Sequence, residues 1–261
     1  MLITILRMIN PLNNSPQITA SGSFLLGNTG LCSGSYLIGQ GFALLSMATL
    51  SFISFPPVIR KNKSDGGRPL REIMKQPTFI VATIAGALGY GVMNLLMAAT
   101  PLAMQQCGLP FSDTALVLEW HVIGMFAPGF FTGHLIKRFG ALPIMGVGVL
   151  LNAGCIAVAV SGLDLQQFLI ALFLLGVGWN FLFTGSTTLS LQTYTAEEKD
   201  RAQGALNFFI FATMAVTSFA SGVLVTTRGW ALLNYGSLLP VALVGASLLW
   251  LSTVQRRKLT V

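Results

Sequence analysis

The chain has 261 residues, 53% of them hydrophobic and only 9% charged, with a mean hydropathy of +0.73 and a formal net charge of +7. Such a composition exceeds what a soluble core holds, and the 28 glycines suit closely packed membrane helices. The basic residues are confined to short polar breaks, where they orient helices, and this excludes nucleic acid as a partner.

Residues 1–35 hold Pro11, Asn13, Asn14 and Pro16, and their apolar opening is cut by Arg7, so they read as a poorly ordered tail and not as a signal peptide. A helix needs roughly 20 apolar residues to cross a bilayer, because no water is available there to satisfy its backbone. Stretches of that kind run over 36–55, 78–99, 114–136, 141–161, 166–191, 205–226 and 231–253. The expected class is all-α: a polytopic helical bundle of about seven transmembrane helices.

Between the first two spans, residues 56–77 form a basic linker with Pro56-Pro57, Gly66-Gly67, and then Leu70, Ile73 and Met74 among charged neighbours. That order predicts a loop followed by a short interfacial helix. The domains expected are thus the tail, a single helix over 36–55, the linker over 56–77, a six-helix bundle over 78–255 and a basic tail over 256–261. Lys and Arg cluster in this linker, after the third and fifth spans, and at Arg256, Arg257 and Lys258, whereas the alternate breaks hold Asp113, Asp164 and a lone Arg228. The positive-inside rule makes the clustered side and the C-terminus cytoplasmic, with the chain in the inner (plasma) membrane.

Chemistry concentrates in a few polar residues inside the spans. Glu119 is the only carboxylate within one; it lies roughly 9 Å from the outer end of its helix, shallow enough for interfacial water. A charge at the bilayer centre costs at least about 2.5 kcal/mol, so Glu119 is either a solute or proton site or a solvated side chain. His121, about 200° further round the helix, cannot share its face; a neutral His bonded to a neighbouring helix is the commoner arrangement. Asn152 lies roughly 18 Å into its span, near the midplane, where it can bond a neighbouring helix. Cys155 reads as a small apolar side chain; a Cys32–Cys107 disulfide is compatible with the sequence, but no spacing calls for it. There is no metal-spaced His cluster, P-loop or Gly-x-Ser-x-Gly turn, so neither a metal, a cofactor nor a catalytic residue is expected. A membrane-embedded enzyme using Glu119 and His121 is the alternative, and their opposite faces count against it.

The turn after the third span, Gly133-His134-Leu135-Ile136-Lys137-Arg138-Phe139-Gly140, resembles the cytoplasmic signature of the major facilitator superfamily. Gly133, Leu135, Arg138 and Gly140 match it; Lys137 stands where the family prefers Asp, and Ala141 and Leu142 replace the trailing basic residues. Tyr194 to Gly204 looks like the acidic-basic loop before the family's eleventh helix, and the linker resembles its central loop. The resemblance places this chain over the sixth to twelfth helices, most similar to a bacterial branch, and assigns no substrate.

It implies a secondary carrier of a small solute, working by alternating access as a fragment or half-transporter that pairs with a complementary bundle or a second copy. A non-transporting membrane protein is the alternative outcome if that bundle is absent. It also implies that the path is lined by the helix carrying Tyr90 and Asn94 and the helix carrying Trp179 and Asn180.

Overall fold

The computed structural model describes residues 40, 41, 43–52 and 67–259. The chain divides into two units, Met1–Asn62 and Lys63–Val261. In the first, residues 43–51 are helical, inside the span expected at 36–55. The expected tail at 1–35, Cys32, residues 53–55 of the expected first span and linker residues 56–66 lie outside the described residues.

The second unit is built from α1 (Leu70–Met74), α2 (Pro77–Gln106), α3 (Phe111–Phe126), α4 (Gly129–Phe139), α5 (Ala141–Ser161) and α6 (Leu165–Ser190), which ends in a 3-10 turn at Leu191–Thr193. A long helical stretch, Lys199–Leu259, closes the unit. Gly229 breaks it at φ 80°, ψ 169°, a conformation open to glycine because it has no Cβ. The two arms are α7 (residues 199–228) and α8 (residues 230–259). Among the described residues five stretches are long and apolar enough to cross a membrane; the last has 59 residues, far beyond one crossing, and the Gly229 break makes it two. The described residues contain no strand, and the unit is a bundle of six membrane-crossing helices.

Paired contacts fix helix directions. Gly86 faces Ser186 while Gly89 faces Leu182, so α2 and α6 are antiparallel. Asn94 meets Met214 and Ser218 while Gly86 meets Ile210, so α2 and α7 are parallel. Consequently the ends carrying Lys75, Gly140, Lys199 and Arg257 share one side of the bundle, opposite Gly108, Asp164 and Arg228.

Helix α6 sits at the centre, touching α2, α3 and α5. Its small residues make this possible. A Cβ on Gly176 would lie 2.5 Å from the His121 carbonyl oxygen of α3, and one on Gly178 would lie 3.0 Å from the Gly148 carbonyl oxygen of α5. Both contacts are with backbone, so the helices approach to the limit that glycine permits. On the α2 side, Ser186 donates to the Ala82 carbonyl at 2.6 Å. Around these crossings Leu96, Val117, Ile156, Phe168, Leu172 and Leu175 are buried as one apolar cluster. Trp230 closes α8 onto it by donating its indole N–H to the Ala159 carbonyl at 2.9 Å.

The short helix expected in the linker is α1, but it does more than lie at an interface. Ile73 is fully buried against Phe79, Ala202, Leu206 and Ile210. Its approach is pinned by Arg68: the guanidinium reaches Glu198 through Nε to Oε1 at 3.0 Å and Nη2 to Oε2 at 2.9 Å, and the Arg68 amide adds a third bond at 2.7 Å. Thr195 N–H is a fourth donor to the same carboxylate, at 3.0 Å. Beside the Arg68 guanidinium, and with the two backbone donors, the Glu198 carboxyl is held down to about 2 from its ordinary 4.5. The same carboxylate raises the Arg68 pKa.

Candidate functional site

An aromatic cluster joins three helices at the middle of the bundle. Trp179 of α6 stacks on Phe183, one turn along, with ring centroids 5.1 Å apart and planes 10° from parallel. Tyr90 of α2 meets both edge-on, 5.4 Å from Trp179 and 5.8 Å from Phe183. Phe126, at the end of α3, adds an edge to Trp179 at 6.5 Å and is 56% exposed. Trp179 itself is buried, and its indole N–H has no hydrogen-bond partner. Such a group offers a flat apolar wall with one polar handle, the arrangement that binds planar ring systems.

Two asparagines sit beside the wall and are occupied. Asn94 is one turn beyond Tyr90; its amide nitrogen lies 2.8 Å from Ser218 Oγ, 3.0 Å from Thr217 Oγ1 and 3.2 Å from the Met214 carbonyl, tying α2 to α7. Asn180 bridges α6 to the α3–α4 junction, donating to the Met125 carbonyl at 2.8 Å and accepting from Thr132 Oγ1 at 2.7 Å. The junction explains the need. Pro128 has no N–H to continue the helical ladder, and a side chain from α6 serves the carbonyl beside the gap.

Glu119 and His121 do not meet. His121 is fully buried, with Nδ1 2.7 Å from the Leu172 carbonyl; a carbonyl only accepts, so Nδ1 donates, and Nε2 has no hydrogen-bond partner. Glu119 is exposed on the other face of α3, two turns before Phe126 and on the same side as that ring. Asn152 departs from the expectation of an interhelical bond: it is 1% exposed beside Gly178, and neither its amide nitrogen nor its oxygen has a partner. Among the described residues no group of His, Cys, Asp and Glu is placed to hold a metal ion.

The turn between α4 and α5 completes the picture. Gly140 adopts φ 91°, ψ 160°, which lets α5 start immediately after α4 ends. Leu135 is half-buried against the cluster of Ile136, Ala141, Ile144 and Phe181, Gly133 faces open space, and the Arg138 guanidinium lies 5.3 Å over the Phe139 ring.

Residues 79–260 match the family model described as Major Facilitator Superfamily. The chain belongs to the major facilitator superfamily. It is 41% identical over 215 residues to the riboflavin transporter RfnT of Brucella anthropi, covering 81% of this chain and 54% of that protein. An uncharacterized MFS-type transporter of Bacillus subtilis, YddS, is 24% identical over 89% of this chain and 56% of its own length. The 4-hydroxybenzoate transporter PcaK of Pseudomonas putida is 29% identical over 58% of this chain and 34% of that protein. The chain thus spans about half the length of the first two of these curated relatives. No solved structure matches it. As a superfamily member it is a multi-pass membrane protein, and the relatives named here are transporters.

Sequence reasoning missed Phe126 and Phe183 as partners of Trp179. The i, i+4 spacing of Trp179 and Phe183 was the available signal, since it places both rings on one face of a helix. Thr132, one turn beyond Pro128, offered a similar clue as a hydroxyl next to a broken ladder.

Proposed function

We propose that this chain supplies one six-helix bundle of a secondary carrier for a planar aromatic solute of the flavin class. The observation that carries the reading is the Tyr90–Trp179–Phe183 cluster with the exposed ring of Phe126 at its edge, because stacked and edge-on rings are suited to a flat heteroaromatic molecule. The 41% identity to a protein named as a riboflavin transporter supports it, as does the aromatic solute in the name of a more distant relative.

Transport would follow the family's alternating access, in which this bundle, corresponding to the seventh to twelfth helices, rocks against a complementary bundle around a midplane site. The basic end, with Arg71, Lys75, Lys137, Arg138, Arg256 and Arg257, would face the cytoplasm, and the membrane would be the inner one. Asn94 and Asn180 serve this function as struts, while Tyr90, Trp179 and Phe126 touch the solute. Glu119 is the candidate for sensing charge or protons. His121 and Asn152 are buried away from it.

The test is direct binding. Riboflavin fluorescence should be quenched saturably when the purified full chain is added, since stacking on an indole quenches a flavin. Trp179→Leu should weaken that binding by up to about tenfold, the loss of roughly one stacking contact. Unchanged quenching in Trp179→Leu, with the protein still folded by circular dichroism, would remove the cluster from the solute site.

A further inference from the structure

Helices α6 and α7 are neighbours in sequence but do not pack against each other along their lengths; each lies on α2. Their ends on the basic side are joined by another part of the chain, the segment 67–76 that leads into α2. The carbonyl of Thr193, where the turn closing α6 ends, accepts from Arg68 Nη2 at 3.0 Å and from Gln76 Nε2 at 2.9 Å. Glu198, immediately before α7, takes the Arg68 side chain and amide. Arg68 therefore holds both ends at once. Gly67 lies so close that a Cβ on it would overlap Glu198 Cγ, and its φ of 21° also favours glycine.

The segment is built to come away. Its one helix, α1, has five residues, far too few to persist without the contacts it makes on docking. Gln76, extended at φ −67° and ψ 130°, separates it from Pro77 at the start of α2, so α1 can swing without bending α2. The clasp is reachable from water: the Arg68 side chain is 45% exposed, whereas that of Glu198 beneath it is 3% exposed. Under the strap, Ile73 packs with Ala202, Leu206 and Ile210, and the same apolar cluster continues to Tyr90 and Phe183. Strap and aromatic wall thus share one continuous packing.

We propose that residues 67–76 are a releasable strap that fastens α6 to α7 on the basic side, and that its docking is coupled to solute binding at the aromatic wall. With the strap down, Ile73 and its neighbours hold Tyr90 and Phe183 from one side. With it released, α6 and α7 are joined on that side by the loop 194–198 alone, and the base of the wall loosens. The coupling rests on the reading of Tyr90, Trp179 and Phe183 as the solute site; the release of the strap does not.

The test places a thiol under the strap with Ala202→Cys, at a fully buried position, and follows its labelling by a water-soluble maleimide in the purified full chain. Peptide mass spectrometry reads it beside the exposed Cys107 and the buried Cys155 of the same molecule. The new thiol should label faster than Cys155, because the strap opens without global unfolding. Adding Arg68→Gln should speed it about tenfold or more while Cys155 stays slow. Ile73→Ala, which thins the packing and keeps the clasp, should act in the same direction. Saturating riboflavin, its binding confirmed by quenching, should slow the labelling at least about fivefold. A thiol at 202 no faster than Cys155, or a rate that neither Arg68→Gln nor Ile73→Ala raises, would overturn the strap. Bound riboflavin without effect on the rate would overturn the coupling. Absent quenching would reject the flavin reading and the coupling with it, and the two variants would then decide the strap by themselves.

Discussion

The Asn180 carboxamide of α6 donates to the Met125 carbonyl of α3 at 2.8 Å, beside the point where Pro128 interrupts the ladder. Neither group can find water in that position, since Asn180 is 7% exposed and the bundle is set in hydrocarbon. Replacing Asn180 by Leu should therefore cost about 1–2 kcal/mol, a lost interhelical bond plus the Met125 carbonyl left behind; the Thr132 hydroxyl keeps the Pro128 carbonyl at 2.7 Å. A thermal melt in detergent reads this, and flavin binding per folded molecule should persist. Lost binding with an unshifted melt would move Asn180 from strut to solute contact.

Gly176 and Gly133 should respond oppositely to alanine. At Gly176 the new methyl would meet the His121 carbonyl and the Met125 amide nitrogen, 2.5 and 2.9 Å away, and backbone cannot step aside. A destabilisation of about 1–3 kcal/mol is expected there. Gly133 has open space around it, so alanine should leave stability unchanged or raise it by up to about 1 kcal/mol through helix propensity. Melting temperatures of the two variants, measured side by side, check the pair.

Acid should loosen the junction between Arg68 and Glu198. Folding depresses the Glu198 carboxyl from 4.5 to about 2, so its contribution is fully present above 4.5 and is lost as pH falls from there through about 2. Protease sensitivity near Thr195 should rise across that window in the wild type. Glu198→Gln should already show the raised sensitivity at pH 7 and should lose the pH step.

Glu119→Gln tests the exposed carboxylate midway along α3. If Glu119 senses protons for the carrier, uptake by this chain together with a complementary bundle should lose its pH dependence while insertion is unchanged. Uptake that retains rate and pH profile, normalised to inserted protein, would leave Glu119 as a solvated side chain only.

The crossings were legible because each needs about 20 apolar residues in a row, and polar breaks such as Arg228-Gly229 punctuate them. Which face of each helix turns inward was not. In a membrane both the lipid face and the packed face are apolar, so periodicity carries little information about burial. That is why Asn94 and Asn180 could be assigned to lining helices by resemblance while their partners stayed hidden: Met214 and Met125 take part through backbone carbonyls, which no side chain advertises. Tyr90 and Trp179 were named by resemblance as residues of two lining helices, and their contact at 5.4 Å came only with the fold. Arg68 and Glu198, 130 residues apart, read as a linker charge and a loop charge, and nothing local in the sequence pairs them.

The central place of α6 also sets an order of events during synthesis. Helices α2, α3 and α5 leave the ribosome before it, and each carries a group whose partner is on α6: the Ala82 carbonyl, His121 Nδ1 and the face of Gly148. Until residues 165–190 arrive, these helices have been inserted but have nothing to close around, so a nascent chain paused near Ser161 leaves His121 Nδ1 and the Met125 carbonyl without their α6 partners. Such a species is what membrane chaperones and proteases detect, so a stall before residue 165 should lower the yield of the protein, and the glycine-notched helix should restore it on arrival.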